Sequence, residues 1–200
     1  MIAAAGAVPA LGHTEMDPIA AERAVAKGAR ITTHLFDAMG SWTGAHWSGG
    51  VQQDSAALIA LAIPGLYYEL ICDSRGIHVD PYMLRLVRKI KGEDRLILIS
   101  DACVFDGPIP DGYDGVTDLC FDFAGEIAGS KLSLDVACRN MMKHTGASIV
   151  DVFRYASYNP SRAIGFLDRG EIAVGKRADL VIVDHWMKVN KVIFEGETVQ

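Results

Sequence analysis

Residues 95–100 read Arg-Leu-Ile-Leu-Ile-Ser, an unbroken aliphatic run that stops at Asp101. A strand with apolar side chains on both faces needs cover on both faces, and a parallel sheet flanked by helices supplies it. The same order of apolar strand, polar loop and helix recurs along the chain. Residues 30–35 are β-branched and end at His34, and residues 66–72 end at Asp73 and Ser74. Residues 2–12 are expected to form a buried strand, weakened by Pro9 and ending at His13.

Helix signals stand between these strands. Asp17 caps a helix opening at Pro18, and Ile19, Ala20, Arg23, Ala24 and Lys27 carry it to Gly28. Asp80-Pro81 opens another, with apolar Met83, Leu84, Leu86, Val87 and Ile90, closed by Gly92. Residues 36–55 form a long loop rich in Gly, Trp and polar residues, a length usually tied to function. Further on, the pattern predicts a hairpin around 119–123 and helices over 133–144 and 148–156. Ser148 and Asp151 have the spacing of a capping box. From residue 170 the texture changes to short strands over 180–183, 188–194 and 195–199, a second small β module.

Repeated strand–loop–helix units imply an α/β fold with a parallel sheet. Polar residues at the carboxyl ends of several parallel strands are the pattern of a TIM-barrel active site. About four such units are present where a closed barrel needs eight, so the chain reads as half of a TIM-type (β/α)8 barrel. The abrupt start at an apolar strand likewise reads as an incomplete protein.

Composition narrows the class. With 50% hydrophobic and 22% charged residues the chain is not a disordered tail. The net charge of −6 and the absence of dense Lys/Arg clusters exclude a nucleic-acid footprint. No apolar run approaches the ~20 residues of a membrane span. Residues 1–11 lack the basic segment of a signal peptide. Four separated cysteines without a CxxC pair read as reduced thiols of a cytoplasmic protein. Phosphate-loop, dinucleotide and nucleophile-elbow motifs are absent.

The candidate chemistry lies at the strand ends. One strand–helix–strand step separates His13 from His34, so adjacent parallel strands would bring both imidazoles to one rim. Histidine is the common ligand of zinc and similar ions. The plainer reading is that each merely caps a strand. Asp101, at the end of the most apolar strand, needs a partner or solvent. It could act as general base toward a metal-activated water, or serve only as a cap or ion-pair partner. Asp73 also reads as a plain turn residue. His78 lies in a loop after the third strand, where it could simply pack at the surface or, beside the others on the rim, hydrogen-bond a substrate hydroxyl or carbonyl. His46, between Trp42 and Trp47, could line a sugar-stacking wall or a hydrophobic lid. His144 and His185 are read as structural.

These motifs together resemble the amidohydrolase superfamily, and within it the N-acetylglucosamine-6-phosphate deacetylases. The matching stretches are Gly12-His13, Thr33-His34-Leu35-Phe36-Asp37-Ala38-Met39, Asp73 through Val79, and Ser100-Asp101-Ala102. Ala128 through Leu134, Arg139-Asn140, Asn159 through Ala163 and Gly170 through Val181 follow in the same order. The resemblance implies the C-terminal half of a TIM barrel over 1–168 and strands of a small β-sandwich over 169–200. It implies His13 and His34 as metal ligands, Asp101 as catalytic acid/base and His78 as a contact that polarises the amide carbonyl. It further implies a divalent metal, with zinc first and iron or another ion as alternatives. The substrate would be an N-acetyl amino sugar cleaved to acetate and amine, and the assembly a homodimer.

Three departures from the family pattern matter. The family's glutamate ligand has no counterpart in this chain, so two histidines alone should bind metal weakly. Asp37, before Ala38, replaces the family's usual Asn on the substrate side and would repel a phosphate. The family's phosphate loop is replaced by residues 43–50, where His46 could substitute only when protonated. Arg75 is a new cation that could meet an anion. The alternatives are an inactive or complementation-dependent fragment, and an amidohydrolase for an unphosphorylated N-acetyl sugar or another amide.

Overall fold

The computed structural model describes residues 2–40, 49–51 and 53–199. It divides into two compact units, Met1–Leu70 and Ile71–Gln200.

In the first unit, β1 (Ala10–Leu11), β2 (Ile31–Thr32) and β3 (Tyr67–Ile71) lie side by side in parallel, with Leu11 opposite Thr32 and Thr32 opposite Tyr68. The expected strand over 2–12 is shorter than its apolar composition suggests. Ala3–Ala5 form an exposed 3-10 turn closed by left-handed Gly6. Alanine and glycine are poor strand formers and Pro9 has no N–H for a ladder, so pairing starts only at Ala10. The strand expected over 30–35 is also cut short, because backbone at His34 turns to positive φ and leaves the sheet. α1 (Pro18–Ala26) starts as expected, with Asp17 Oδ1 accepting the Ala20 amide at 2.6 Å. The unforeseen α2 (Ala56–Ala62) is capped by Ser55. Tyr68 Oη donates to the Ala60 and Ile63 carbonyls at its far end.

The second unit contains α3 (Pro81–Lys91), β4 (Leu96–Ile99), the antiparallel pair β5 (Leu119–Phe121) and β6 (Ile127–Ser130), and α4 (Leu134–Thr145). α3 begins at its Asp80 cap and ends at Gly92, with Arg88, Lys89 and Lys91 in the last turn, where cations suit the helix dipole. Arg88 joins α3 to the next helices, donating to Asp151, Glu93, the Tyr155 hydroxyl and the Thr145 carbonyl. α5 (Ile149–Phe153) has the full capping box. It continues through a π turn, Arg154–Tyr158, into α6 (Asn159–Ile164). Pro160 explains the widening: it cannot donate, and its ring would strike the carbonyl four residues back. Asn159 Nδ2 ties this helix to the Glu93 and Leu96 carbonyls. The core around β4 is Leu84, Val87, Leu96, Ile97, Leu98, Met141, Val152 and Tyr155, all buried. β7 (Leu180–Val183), β8 (Val189–Phe194) and β9 (Glu197–Thr198) form a separate antiparallel sheet. All four cysteines are free.

Candidate functional site

In the first unit the parallel register ends β1 and β2 level with each other, and Thr33 N donates to the Leu11 carbonyl at 2.7 Å. Gly12 permits this approach, since a Cβ there would lie 2.6 Å from Thr33 Cβ. The next residue of each strand is a histidine. His13 Nε2 and His34 Nε2 stand 2.9 Å apart, the rings edge to face at 83°. His13 is exposed and His34 buried. His34 Nδ1 faces the Asp37 carbonyl at 3.1 Å, an obligate acceptor. That puts the ring proton on Nδ1 and leaves the Nε2 lone pair aimed at His13, the tautomer a metal-ligating imidazole needs. Thr14 N donates to the Ala38 carbonyl at 3.1 Å and links the two histidine loops.

The backbone carries strain here. Among the described residues, seven non-glycine positions have positive φ; four of them, His13 (46°), His34 (29°), Phe36 (83°) and Ala38 (46°), fall in these two loops of the first unit, and Asp101 (49°) in the second unit is another. Such conformations cost roughly 1–3 kcal/mol each and cluster at functional sites. No sequence pattern foretold them.

In the second unit the chain turns sharply at residues 73–78. Asp73 is fully buried. Its Oδ1 accepts from the Arg75 and Ile77 amides, and its Oδ2 from the Ile77 and His78 amides and from His78 Nδ1 at 3.2 Å. Burial pushes this carboxyl upward, but the His78 ring and the three amides outweigh it and hold the group well below the usual carboxylate range. His78 Nε2 meets the Gly129 carbonyl at 3.1 Å. Gly129, at φ 104°, lies against Asp101, where a Cβ would sit 2.6 Å from the Asp101 carbonyl oxygen and 3.4 Å from Oδ2. Ser130 N donates to the Asp101 carbonyl at 2.9 Å, and Ser130 Oγ to the Ser100 carbonyl. Asp101 itself is exposed.

Asp118, which the sequence gave no reason to single out, is a second buried carboxylate behind this turn. It accepts from Ser74 N at 2.6 Å, Ser74 Oγ at 2.9 Å and Asn140 Nδ2 at 3.2 Å. His144 is buried and structural, its Nε2 donating to the Asp73 carbonyl at 2.9 Å. Arg75 is exposed and donates to the Gly112 carbonyl at 2.6 Å, a tether for the following loop. His46 lies outside the described residues. Burial pushes the Cys72 thiol up and takes Cys138 up to about 12, so neither is a nucleophile.

The fit to a metal is specific but incomplete. His13 and His34 present two imidazole nitrogens 2.9 Å apart, the donor type that would hold a zinc or similar ion. Among the described residues no group of three or more His, Cys, Asp or Glu converges. No helix among them is long and apolar enough to cross a membrane.

The amidohydrolase family model matches residues 3–199. An N-acetylglucosamine-6-phosphate deacetylase of Bacillus subtilis is 36% identical over 94% of this chain and 48% of its own length. The crystal structure of the Thermotoga maritima N-acetylglucosamine-6-phosphate deacetylase superposes with a TM-score of 0.82 at 28% identity, covering 100% of this chain and 54% of that one. A variant of the Mycobacterium smegmatis deacetylase in complex with N-acetyl-D-glucosamine-6-phosphate has a TM-score of 0.77 at 31% identity, covering 99% of this chain and 52% of that one. The chain therefore spans about half the length of the relatives it matches.

Proposed function

The chain belongs to the amidohydrolase family, and from that premise we propose that it carries the C-terminal half of a metal-dependent deacetylase of N-acetyl amino sugars. The reading places residues 1–168 in half of a TIM-type barrel and 169–200 in a small β-sandwich, in a cytoplasmic homodimer. One observation carries it: His13 and His34 converge through Nε2 at 2.9 Å, on left-handed backbone at the ends of two parallel strands.

His13 and His34 would hold a divalent ion, zinc first. When bound, such an ion lowers the pKa of water and polarises an acyl carbonyl. The Asp37 carbonyl keeps His34 in the required tautomer. Asp101 takes a proton from the attacking water and returns it to the leaving nitrogen, so that N-acetyl amine and water give acetate and free amine. His78, Asp37, Ala38, His46 and Arg75 make up the substrate side, with His78 donating to the acyl oxygen.

The substrate proposed first is N-acetylglucosamine-6-phosphate, as in the names of the relatives. A specific residue favours an unphosphorylated sugar as second reading: the Asp37 carboxylate would repel a phosphate. Metal content and acetate release from both sugars test the two together. Zinc bound in the wild-type chain and lost in His34→Ala supports the ligand pair, and zinc retained in that variant overturns it. Faster turnover of the phosphorylated sugar removes the second reading.

A further inference from the structure

The proposal above leaves Asp73 without a part. Both ring nitrogens of His78 face groups that only accept: Nδ1 the ionised Asp73 carboxylate at 3.2 Å, Nε2 the Gly129 carbonyl at 3.1 Å. A neutral imidazole has one N–H and can satisfy one of them. The other contact would then set a lone pair against an oxygen in a buried place, an unfavourable arrangement. The imidazolium satisfies both. The turn is not free to relax, since Asp73 also accepts three backbone amides from residues 75–78.

We propose that Asp73 is a positioning residue: it holds His78 as a two-donor cation whose Nε2–H is aimed along the Gly129 carbonyl, beside Asp101. The Gly129 oxygen then occupies the place of an acyl oxygen. It accepts the proton that a substrate carbonyl would take over, and a Cβ built on Gly129 would sit 2.6 Å from the Asp101 carbonyl oxygen and 3.4 Å from its Oδ2. A charged donor holds a developing negative oxygen more strongly than a neutral one. The other titratable or charged groups at this turn are Asp118, which holds Ser74, His144, which donates to the Asp73 carbonyl, Asp101 across Gly129, Arg75, whose guanidinium donates to the Gly112 carbonyl, and the buried thiol of Cys72. The role in turnover rests on the deacetylase reading, but the protonation of His78 does not.

Two measurements separate these. Long-range 1H–15N spectra of the chain at pH 8, where an ordinary histidine (pKa about 6.5) is neutral, read the His78 ring directly. Both ring nitrogens in the protonated range are expected, and one bare nitrogen overturns the proposal. Asp73→Asn, still folded by its amide spectrum, is expected to lose one ring proton at the same pH. A ring that stays doubly protonated in that variant refutes the assignment to Asp73, and if the variant does not fold the wild-type spectrum decides. In an active preparation, Asp73→Asn is expected to lower kcat about 10–100-fold, by analogy with the outer groups that orient metal ligands, with KM changed much less. An inactive wild type whose His78 ring is doubly protonated would count against the deacetylase reading alone.

Discussion

Replacing Gly12 by alanine tests how the histidine pair is built. The added Cβ would lie 2.6 Å from Thr33 Cβ and 3.1 Å from Thr33 Oγ1. Carbon atoms in contact prefer about 3.5–4.0 Å, so the ends of β1 and β2 must part by about 1 Å. Overpacking of this kind costs about 1–3 kcal/mol, or a fall in Tm of about 2–12 °C for a chain of this size. The displacement falls one residue before His13, so the Nε2–Nε2 separation of 2.9 Å cannot survive unchanged. Zinc titration calorimetry and thermal unfolding should both show a loss. The second variant sharpens the test. The blocking atom is the Thr33 β-carbon, so Gly12→Ala with Thr33→Gly should recover much of the zinc affinity, and Gly12→Ala with Thr33→Ala should not. Wild-type Tm and zinc affinity in Gly12→Ala, or equal rescue by both partners, would refute the reasoning.

Two further outcomes follow from the second unit. Arg88→Ala removes the links to Asp151 and the Tyr155 hydroxyl and should cost about 1–3 kcal/mol in urea unfolding; Glu93→Gln, at a half-exposed carboxylate, should cost under about 1 kcal/mol. Asp73 and Asp151 are both lowered in the folded state. For each, burial opposes the shift and hydrogen bonds overcome it: the His78 ring and nearby amides for Asp73, and the Ser148 amide and hydroxyl for Asp151, where the Arg88 charge adds to them. A depressed folded value means that the stabilisation is present above the unfolded value of about 3.9 and drains away as pH falls below it. Unfolding free energy measured from pH 6 to pH 2 should therefore drop below about pH 4, with a shallower fall in Asp73→Asn.

What could be read in the sequence follows the range of the interactions. The Asp17 and Asp80 caps, each followed by proline, and the Ser148–Asp151 box act over a few residues, and all three stand where expected. α2 gave no helical period because Ala56–Ala62 is apolar on every side. The stretch before Ala10 misled for a related reason: small apolar residues mark burial only when packing partners exist, and residues 2–7 are exposed. At the site, the spacing of His13 and His34 across one strand–helix–strand step was enough to pair them. The left-handed backbone at His13, His34 and Asp101 was not legible, since no local residue pattern announces positive φ at a non-glycine residue. Asp118 was invisible because its partner Ser74 lies 44 residues away in the chain.

The most direct test of the central claim is acetate release from N-acetylglucosamine-6-phosphate by the zinc-loaded protein. It would be followed for the chain alone and with the N-terminal half of the Bacillus subtilis relative supplied. The account predicts acetate and free amine in equal amounts in at least one of the two, abolished in Asp101→Asn while zinc stays bound. Bound zinc with no acetate in either preparation, or an Asp101→Asn protein that turns over as fast as the wild type, would contradict it.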